Sequence, residues 1–460
     1  MDSEYVESIK KTKLALNTVS PTFCLAKWTM STIHLQQGET HSCYHPWTHK
    51  IPLKEISEDP SALHNTEFKK QQRKKMLDGE RPKECQYCWN IEDLKKDHIS
   101  DRMIHSNQSW SKIDFKKVSS SSWSKNINPR HLEISFDSVC QLKCIYCNPT
   151  VSTKWLEEVV EHGGYKTSTK FNDYVKSGDR QATLDKINNK SSNPYVDAFW
   201  RWWPDLYKSL HVFKITGGEP LLCKDTFRVL DYVSNNPHPN LNLIINSNLS
   251  VSDALIDKLI LNINSLSENI SSLTVFASID THGIQAEYIR TGLDYARFMK
   301  NINRLLSECS KCNIAFTVTY NALSVPRLEL LLNEILLLRK KYSSENNKRV
   351  YFDTPYLRYP DHLSIQLLDE SFDVYFENQL AFMKQHTHLV YGFEELEIMK
   401  IQRVYDWKKS GLPAEAKETF KKDFYIYFKE HDKRRKTNFK ESFPELENFY
   451  LSAEALHANA

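Results

Sequence analysis

Apolar and polar residues alternate through 131–136, His-Leu-Glu-Ile-Ser-Phe, and this period of two predicts a β-strand. Further runs at 212–216, 241–246, 273–279, 314–320 and 350–352 predict strands as well. Between them, 225–235, 253–266, 295–309 and 325–340 carry helix-like patterns. Strands that alternate with helices argue for parallel βαβ units. Six such strands predict an α/β fold, a partial (β/α)6 TIM-like barrel over 131–360. A full eight-strand barrel is the alternative. In either case active residues are expected at the C-terminal ends of the strands.

The flanks differ from this core. Residues 1–105 are expected to form a small N-terminal cysteine-rich module, with cysteine, histidine and tryptophan crowded from about residue 20 onward. The polar stretch 106–130, with four serines at 119–122, is expected to be a linker. Residues 151–205 break the rhythm between the first two strands and are expected to be an insertion. Residues 361–460 are expected to be a helical C-terminal extension. No internal repeat of 20–50 residues is evident.

Composition narrows the class. The chain has 460 residues, 40% of them hydrophobic and 12% aromatic, enough for about two or three domains. A net charge of +3 implies no strong polyanion partner. The N-terminus shows no signal-peptide pattern and no run of 18 uncharged apolar residues appears, so a cytoplasmic protein without membrane segments is expected. Ten cysteines, clustered rather than spread, favour metal ligation in a reducing compartment. Two basic runs stand out, 69–75 and 433–436. The ordinary reading of the second is a solvated helix face, so nucleic acid is an unlikely partner.

The densest chemical signal is Cys140, Cys144 and Cys147, three thiols within eight residues directly after the 131–136 strand. Three local cysteines without a local histidine do not close a tetrahedral zinc site. They do suit a cubane iron–sulfur cluster, whose natural ligands are thiolates and whose fourth iron can stay open. Thr216-Gly217-Gly218-Glu219-Pro220 follows the second strand. Adjacent glycines let a ligand approach the backbone, and Glu219 can accept hydrogen bonds from a cationic amine. Asn246 and Asn248 end the third strand and offer amides to ribose hydroxyls or to a turn. Ser278 and Asp280 end the fourth and share one face by alternation.

A second set, Cys24, Cys43, Cys85 and Cys88, can complete a four-thiolate site. Spacing alone leaves a zinc ribbon and an iron–sulfur site equally open. His34, His41, His45 and His49 surround Cys43 and offer substitutes for a cysteine. Cys223 and the pair Cys309/Cys312 carry weaker signals, for which simple burial is the ordinary reading.

The Cys-x3-Cys-x2-Cys spacing, with Tyr146 before the last cysteine, resembles the signature of the radical S-adenosylmethionine enzymes. The Gly-Gly-Glu motif one βα unit later strengthens the resemblance. It implies a catalytic [4Fe-4S] cluster on Cys140, Cys144 and Cys147, and S-adenosylmethionine bound at its open iron. It further implies Gly217, Gly218 and Glu219 at the cofactor's amino group, and Asn246, Asn248, Ser278 and Asp280 at its ribose and carboxylate. Arg290 is implied at that carboxylate, where a guanidinium suits a bidentate clamp. Tyr146 is implied beside the adenine. The implied reaction is reductive cleavage to a 5′-deoxyadenosyl radical that takes hydrogen from a substrate, with an external donor such as flavodoxin or ferredoxin.

The N-terminal cysteines resemble the Twitch module, a short relative of the SPASM module, which implies an auxiliary [4Fe-4S] cluster. In the family that module usually follows the barrel, whereas here it precedes it. Enzymes of this type act on peptides, proteins, nucleotide-like metabolites and other small molecules, with a peptide or protein residue the favoured class here. A different reading, a zinc-binding protein that holds nucleic acid or a partner without catalysis, rests on the basic runs.

Overall fold

A computed structural model describes residues 3–94, 98–174, 179–188, 192–266, 268–345, 347–388 and 390–458. It is an α/β protein built on one large mixed sheet. In chain order the strands are β1 (Met30–His34), β2 (Glu39–His41), β3 (His49–Lys50), β4 (His131–Ser135), β5 (Lys143–Cys144), β6 (Val212–Thr216), β7 (His238–Ser247), β8 (Ile270–Ile279), β9 (Arg290–Thr291), β10 (Cys312–Val318) and β11 (Val350–Asp353). Nine of them form the sheet in the order β11-β10-β8-β7-β6-β4-β1-β2-β3, and β5 and β9 pair separately. From β11 to β1 every pairing is parallel, while β2 and β3 are antiparallel additions. The end strands β11 and β3 do not pair with each other, so the sheet is open and no closed barrel is present among the described residues.

Alternation gives the sheet two unlike faces. On one, Leu132, Ile134, Phe213, Ile215, Leu243, Ile245, Val275, Ala277, Ile314 and Phe316 are fully buried. They join the apolar sides of helices Lys224–Asn235, Asp253–Leu266, Tyr295–Glu308 and Leu328–Tyr342 in a single core. Burial of each large side chain contributes roughly 1.5–3 kcal/mol, so this layer fixes strand register. The other face carries Glu133, Lys214, Thr274 and Phe276 and stays half-buried.

The structure corrects three expectations about the flanks. The N-terminal segment has its own small core around Phe23, Trp28 and Met76. Its strand β1 nevertheless runs parallel to β4 from Met30 against His131 to His34 against Ser135, so it extends the main sheet. Residues 106–130 are packed rather than a free linker: Val118 and Ile127 are buried, and Arg130 pairs with Asp114 at 2.6 Å. The serine run does stay at the surface, its hydroxyls turned back onto the carbonyls of Lys116 and Lys117.

The supposed insertion ends in a crossover helix, Pro194–Tyr207. Asn193 caps it by accepting from Tyr195 N, and Pro194 sits where its missing N–H costs nothing. Phe199 and Trp203 pack on Phe213 of β6. Part of the polar stretch between these elements, 189–191, lies outside the described residues.

The C-terminal helices Asp373–Gln385, Glu395–Ser410, Ala414–Arg435 and Glu447–Ala458 pack into the main core. The second basic run is not a solvated face, since Arg434 and Arg435 have side chains only 4% and 1% exposed. In the first run Lys69 and Arg73 are fully buried. Among the described residues no helix is long and apolar enough to cross a membrane.

Candidate functional site

β4, β6, β7 and β8 are neighbours in the sheet, and their C-terminal ends carry the motifs picked out from the sequence. The cysteine loop, 138–149, leaves β4 and is stitched down on several sides. β5 within it pairs with β9, which sets Cys144 opposite Arg290, and Ile145 N donates to Ile289 O at 2.9 Å. Trp155 Nε1 donates to Cys144 O at 2.8 Å, and Cys140 N donates to Thr153 Oγ1 at 3.2 Å.

The glycines have a sharper purpose than ligand access. Gly218 N donates to Asp137 O at 3.2 Å and Glu219 N to Val139 O at 2.7 Å, so this turn is bonded directly to the cysteine loop. A Cβ on Gly218 would lie 2.3 Å from Val139 O; one on Gly217, whose φ is +129°, would lie 2.8 Å from Asp137 O. Backbone meets backbone there, and no side chain can yield. Gly218→Ala is expected to destabilise the protein by about 1–3 kcal/mol through overpacking. In urea denaturation an effect below about 0.5 kcal/mol would refute the close approach.

Glu219 is 1% exposed and fully engaged by its own chain. It accepts from Leu221 N at 3.0 Å, Ser247 Oγ at 2.7 Å and Asn248 N at 2.7 Å. Burial nevertheless raises its carboxyl to about 7. A raised carboxyl contributes stability below its ordinary 4.5 and loses it as pH rises through about 7. The unfolding free energy of the native chain, relative to that of Glu219→Gln, is therefore expected to fall between these values. Parallel urea curves at several pH values check this, and identical slopes would overturn it.

Asn248 locks onto Gln141 of the cysteine loop at 3.0 Å, a partner the sequence did not reveal. Asn246 Oδ1 is buried without a hydrogen-bond partner, as are Thr281 Oγ1 and Thr317 Oγ1. Ser278 lies in register with Thr317 on the half-buried face. Unpartnered polar atoms thus stand at or just past the C-terminal ends of three adjacent strands.

Asp280, Arg290 and Tyr146 are brought together. Arg290 clamps Asp280 through Nε at 2.8 Å and Nη2 at 3.2 Å, and Tyr146 Oη donates to the same carboxylate at 2.9 Å. One guanidinium edge is thus committed within the protein, while Nη1 points at Cys144 Sγ, 3.9 Å away. Leu142 N approaches Cys140 Sγ at 3.4 Å. A hydrogen bond from Cys147, with the charges of Arg290 and Arg435, holds the Cys144 thiol below its ordinary range; burial pushes Cys140 up to about 12.

Behind the loop lies a C-terminal helix whose contact with it had no sequence signal. The helix Ala414–Arg435 delivers Arg435, which donates to Lys143 O at 2.8 Å and Thr291 Oγ1 at 2.9 Å and pairs with Glu158 at 3.2 Å. Glu158 also takes Lys143 Nζ at 2.6 Å and Tyr165 Oη at 2.7 Å. Arg435 is nearly 300 residues from the loop in sequence, and its run looked like any charged helix end.

Cys24, Cys43, Cys85 and Cys88 line one cleft with Lys27, His45, Asp101, Arg102 and His105. Lys27 is 2% exposed and pairs with Glu84; Arg102 is equally buried and pairs with Glu92 at 2.8 Å. His45 bonds Asp101, His41 holds the Cys43 carbonyl, and His49 bonds Thr66. Of the four histidines near Cys43, His45 is the one at the cleft.

The weaker cysteines fall elsewhere. Cys223 bonds Asp137, while Cys312 starts β10, at the opposite end of its strand from the cysteine loop. Among the described residues no group of three or more His, Cys, Asp or Glu side chains is placed to hold a metal ion. Compared with known proteins, the chain matches no known family and no curated protein.

Proposed function

We propose that the protein is an iron–sulfur enzyme of the radical S-adenosylmethionine type, and that its sheet is the open half-barrel such chemistry uses. One observation carries the reading. The cysteine loop, the Gly217–Glu219 turn, the Asn246–Asn248 turn and Ser278–Asp280 stand at the C-terminal ends of four neighbouring parallel strands, the first three of them hydrogen-bonded to one another.

Cys140, Cys144 and Cys147 would hold a [4Fe-4S] cluster, and the orphaned Asn246 Oδ1 and Thr317 Oγ1 suit a polar cofactor beside it. A cluster held there would supply the one electron needed to cleave the sulfonium of S-adenosylmethionine into methionine and a 5′-deoxyadenosyl radical. The chain's own residues position and shield. Arg290 and Leu142 N bring positive charge and a donor to the thiolates. Tyr146 and Asp280 hold Arg290 in place. Tyr427, Arg435 and Trp155 keep water from the back of the loop.

The N-terminal cleft would hold a second cluster on Cys24, Cys43, Cys85 and Cys88. Buried Lys27 and Arg102 line the same cleft, each paired with a carboxylate, Glu84 and Glu92. The competing picture of a zinc protein on nucleic acid is weakened, because Lys69 and Arg73 of the first basic run and the Arg434 and Arg435 side chains of the second are buried, although Lys74, Lys75, Lys433 and Lys436 are exposed.

The test is anaerobic purification followed by iron and sulfide analysis and reduction with S-adenosylmethionine. About eight irons, about eight sulfides and formation of 5′-deoxyadenosine are expected. A colourless, zinc-rich protein that forms none of the nucleoside would reject the proposal.

A further inference from the structure

A cavity of about 340 Å³ lies in the N-terminal segment, apart from both cysteine sites. Positions 8, 11, 12, 15 and 16 share one face of the helix Ser3–Val19, because residues three and four apart are neighbours along a helix. That face forms one wall of the cavity. Leu25, Ser106, Lys112 and Phe115 form the other. The two walls are tied together: Thr12 Oγ1 and Ser8 Oγ both donate to Asn107 Oδ1, at 2.7 Å and 3.0 Å.

The lining sorts by chemistry. Leu16 and Leu25 are each 1% exposed and, with Phe115, give an apolar floor. Lys11 and Lys112 are exposed and stand at the mouth. Among the described residues no Asp or Glu lines the cavity, and neither lysine has a carboxylate partner; Lys112 Nζ reaches Ser8 Oγ, at 3.3 Å. Ser106 Oγ is fully buried and accepts from Leu25 N at 3.2 Å, and its own O–H has no acceptor among the described residues. A buried donor without an acceptor is costly. Two unanswered cations over an apolar floor, with a spare buried donor, are the complement of an anion that carries an apolar body. At roughly 30 Å³ for each water-sized group, the space takes a body of roughly ten heavy atoms.

We infer that this cavity binds a small amphipathic anion, its carboxylate or phosphate on Lys11 and Lys112 and its chain against Leu16, Leu25 and Phe115. No His, Cys, Asp or Glu lines the cavity among the described residues, so the site binds rather than catalyses. The inference goes beyond the radical chemistry and does not depend on it. It sets the ligand beside the N-terminal cysteine cleft, since Leu25 lines the cavity while Cys24 and Ala26 line the cleft.

The test is calorimetric titration of the full chain with octanoate and octyl phosphate below their micellar concentrations, against octanol, octylamine and acetate. At least one of the two anions is expected to bind tenfold or more tighter than octanol, octylamine or acetate, and the tighter of the two names the head group. Lys11→Met combined with Lys112→Met is expected to bring that anion down to the affinity of octanol. Ala15→Trp, on the cavity face, should block the chain and abolish binding. Lys10→Met, exposed on the same helix and outside the cavity, should leave it unchanged. The comparison of head groups on the unaltered chain stands even if a variant fails to fold.

Absence of binding by both anions, or octanol binding as tightly as they do, would overturn the inference. So would an anion preference that survives the loss of both lysines. Binding to vesicles of anionic phospholipid without binding of either free anion would make this face a membrane contact and would overturn it as well.

Discussion

Cys144→Ser, purified anaerobically, is expected to lose about four irons per chain and to form no 5′-deoxyadenosine above background, a fall of about three orders of magnitude or more. The size of the effect follows from the position of Cys144. It is the most buried of the three loop cysteines, it faces Arg290 across the β5–β9 pairing, and its carbonyl is fixed by Trp155. Serine keeps the volume but not the soft, low-pKa donor that the guanidinium favours.

Cys85→Ser is expected to remove a different set of about four irons and to leave the loop's set in place, because the N-terminal cleft has its own small core. Cys223→Ala and Cys312→Ala serve as controls and should leave iron content unchanged: Cys223 is bonded to Asp137, and Cys312 starts β10 at the far end of the sheet. Full iron content and activity in Cys144→Ser would defeat the assignment of the loop.

Glu158→Gln is expected to cost about 3–5 kcal/mol, the usual penalty when one partner of a buried ion pair is removed. The glutamate is 3% exposed and answers Arg435, Lys143 and Tyr165 together. Glutamine leaves Arg435 buried beneath the cysteine loop without its counter-charge, while the rest of the shape is kept.

Glu158 also gives an acid signature. Burial by itself would raise its carboxyl, but the Arg435 charge and the hydrogen bonds from Lys143 and Tyr165 outweigh burial and hold it down to about 2. A depressed carboxyl contributes stability above its ordinary 4.5 and loses it as pH falls toward about 2. The native chain should lose stability through that window, and Glu158→Gln should lack this limb. Urea denaturation followed by tryptophan fluorescence reads both, since Trp155 packs under Arg435 at 4.8 Å. A loss below about 1 kcal/mol with an unchanged acid limb would show that the helix merely rests on the loop.

Period-two alternation was enough to place the six strands of the main sheet between 131 and 353, though not the short β5 and β9, because one face had to be buried under helices and a one-residue slip would have turned Ile134 or Phe213 outward. Helix ends were equally legible: the run at 253–266 is the observed Asp253–Leu266. The cysteine spacing and the Gly-Gly-Glu turn were visible because their chemistry is local in sequence. That the glycines serve contact with the cysteine loop was not, since Val139 and Gly218 meet only after β4 and β6 pair.

What the sequence by itself determined is the α/β alternation, the position of the cysteine loop and the motifs at successive strand ends. Each of these depends on periodicity or on neighbours a few residues away. Only the tertiary structure decided that β1 joins the main sheet, that Cys24, Cys43, Cys85 and Cys88 share a cleft, and that Arg435 braces the loop. These depend on which distant segments bury each other. A charged run that ends in a buried ion pair looks, in sequence, the same as one that ends in water.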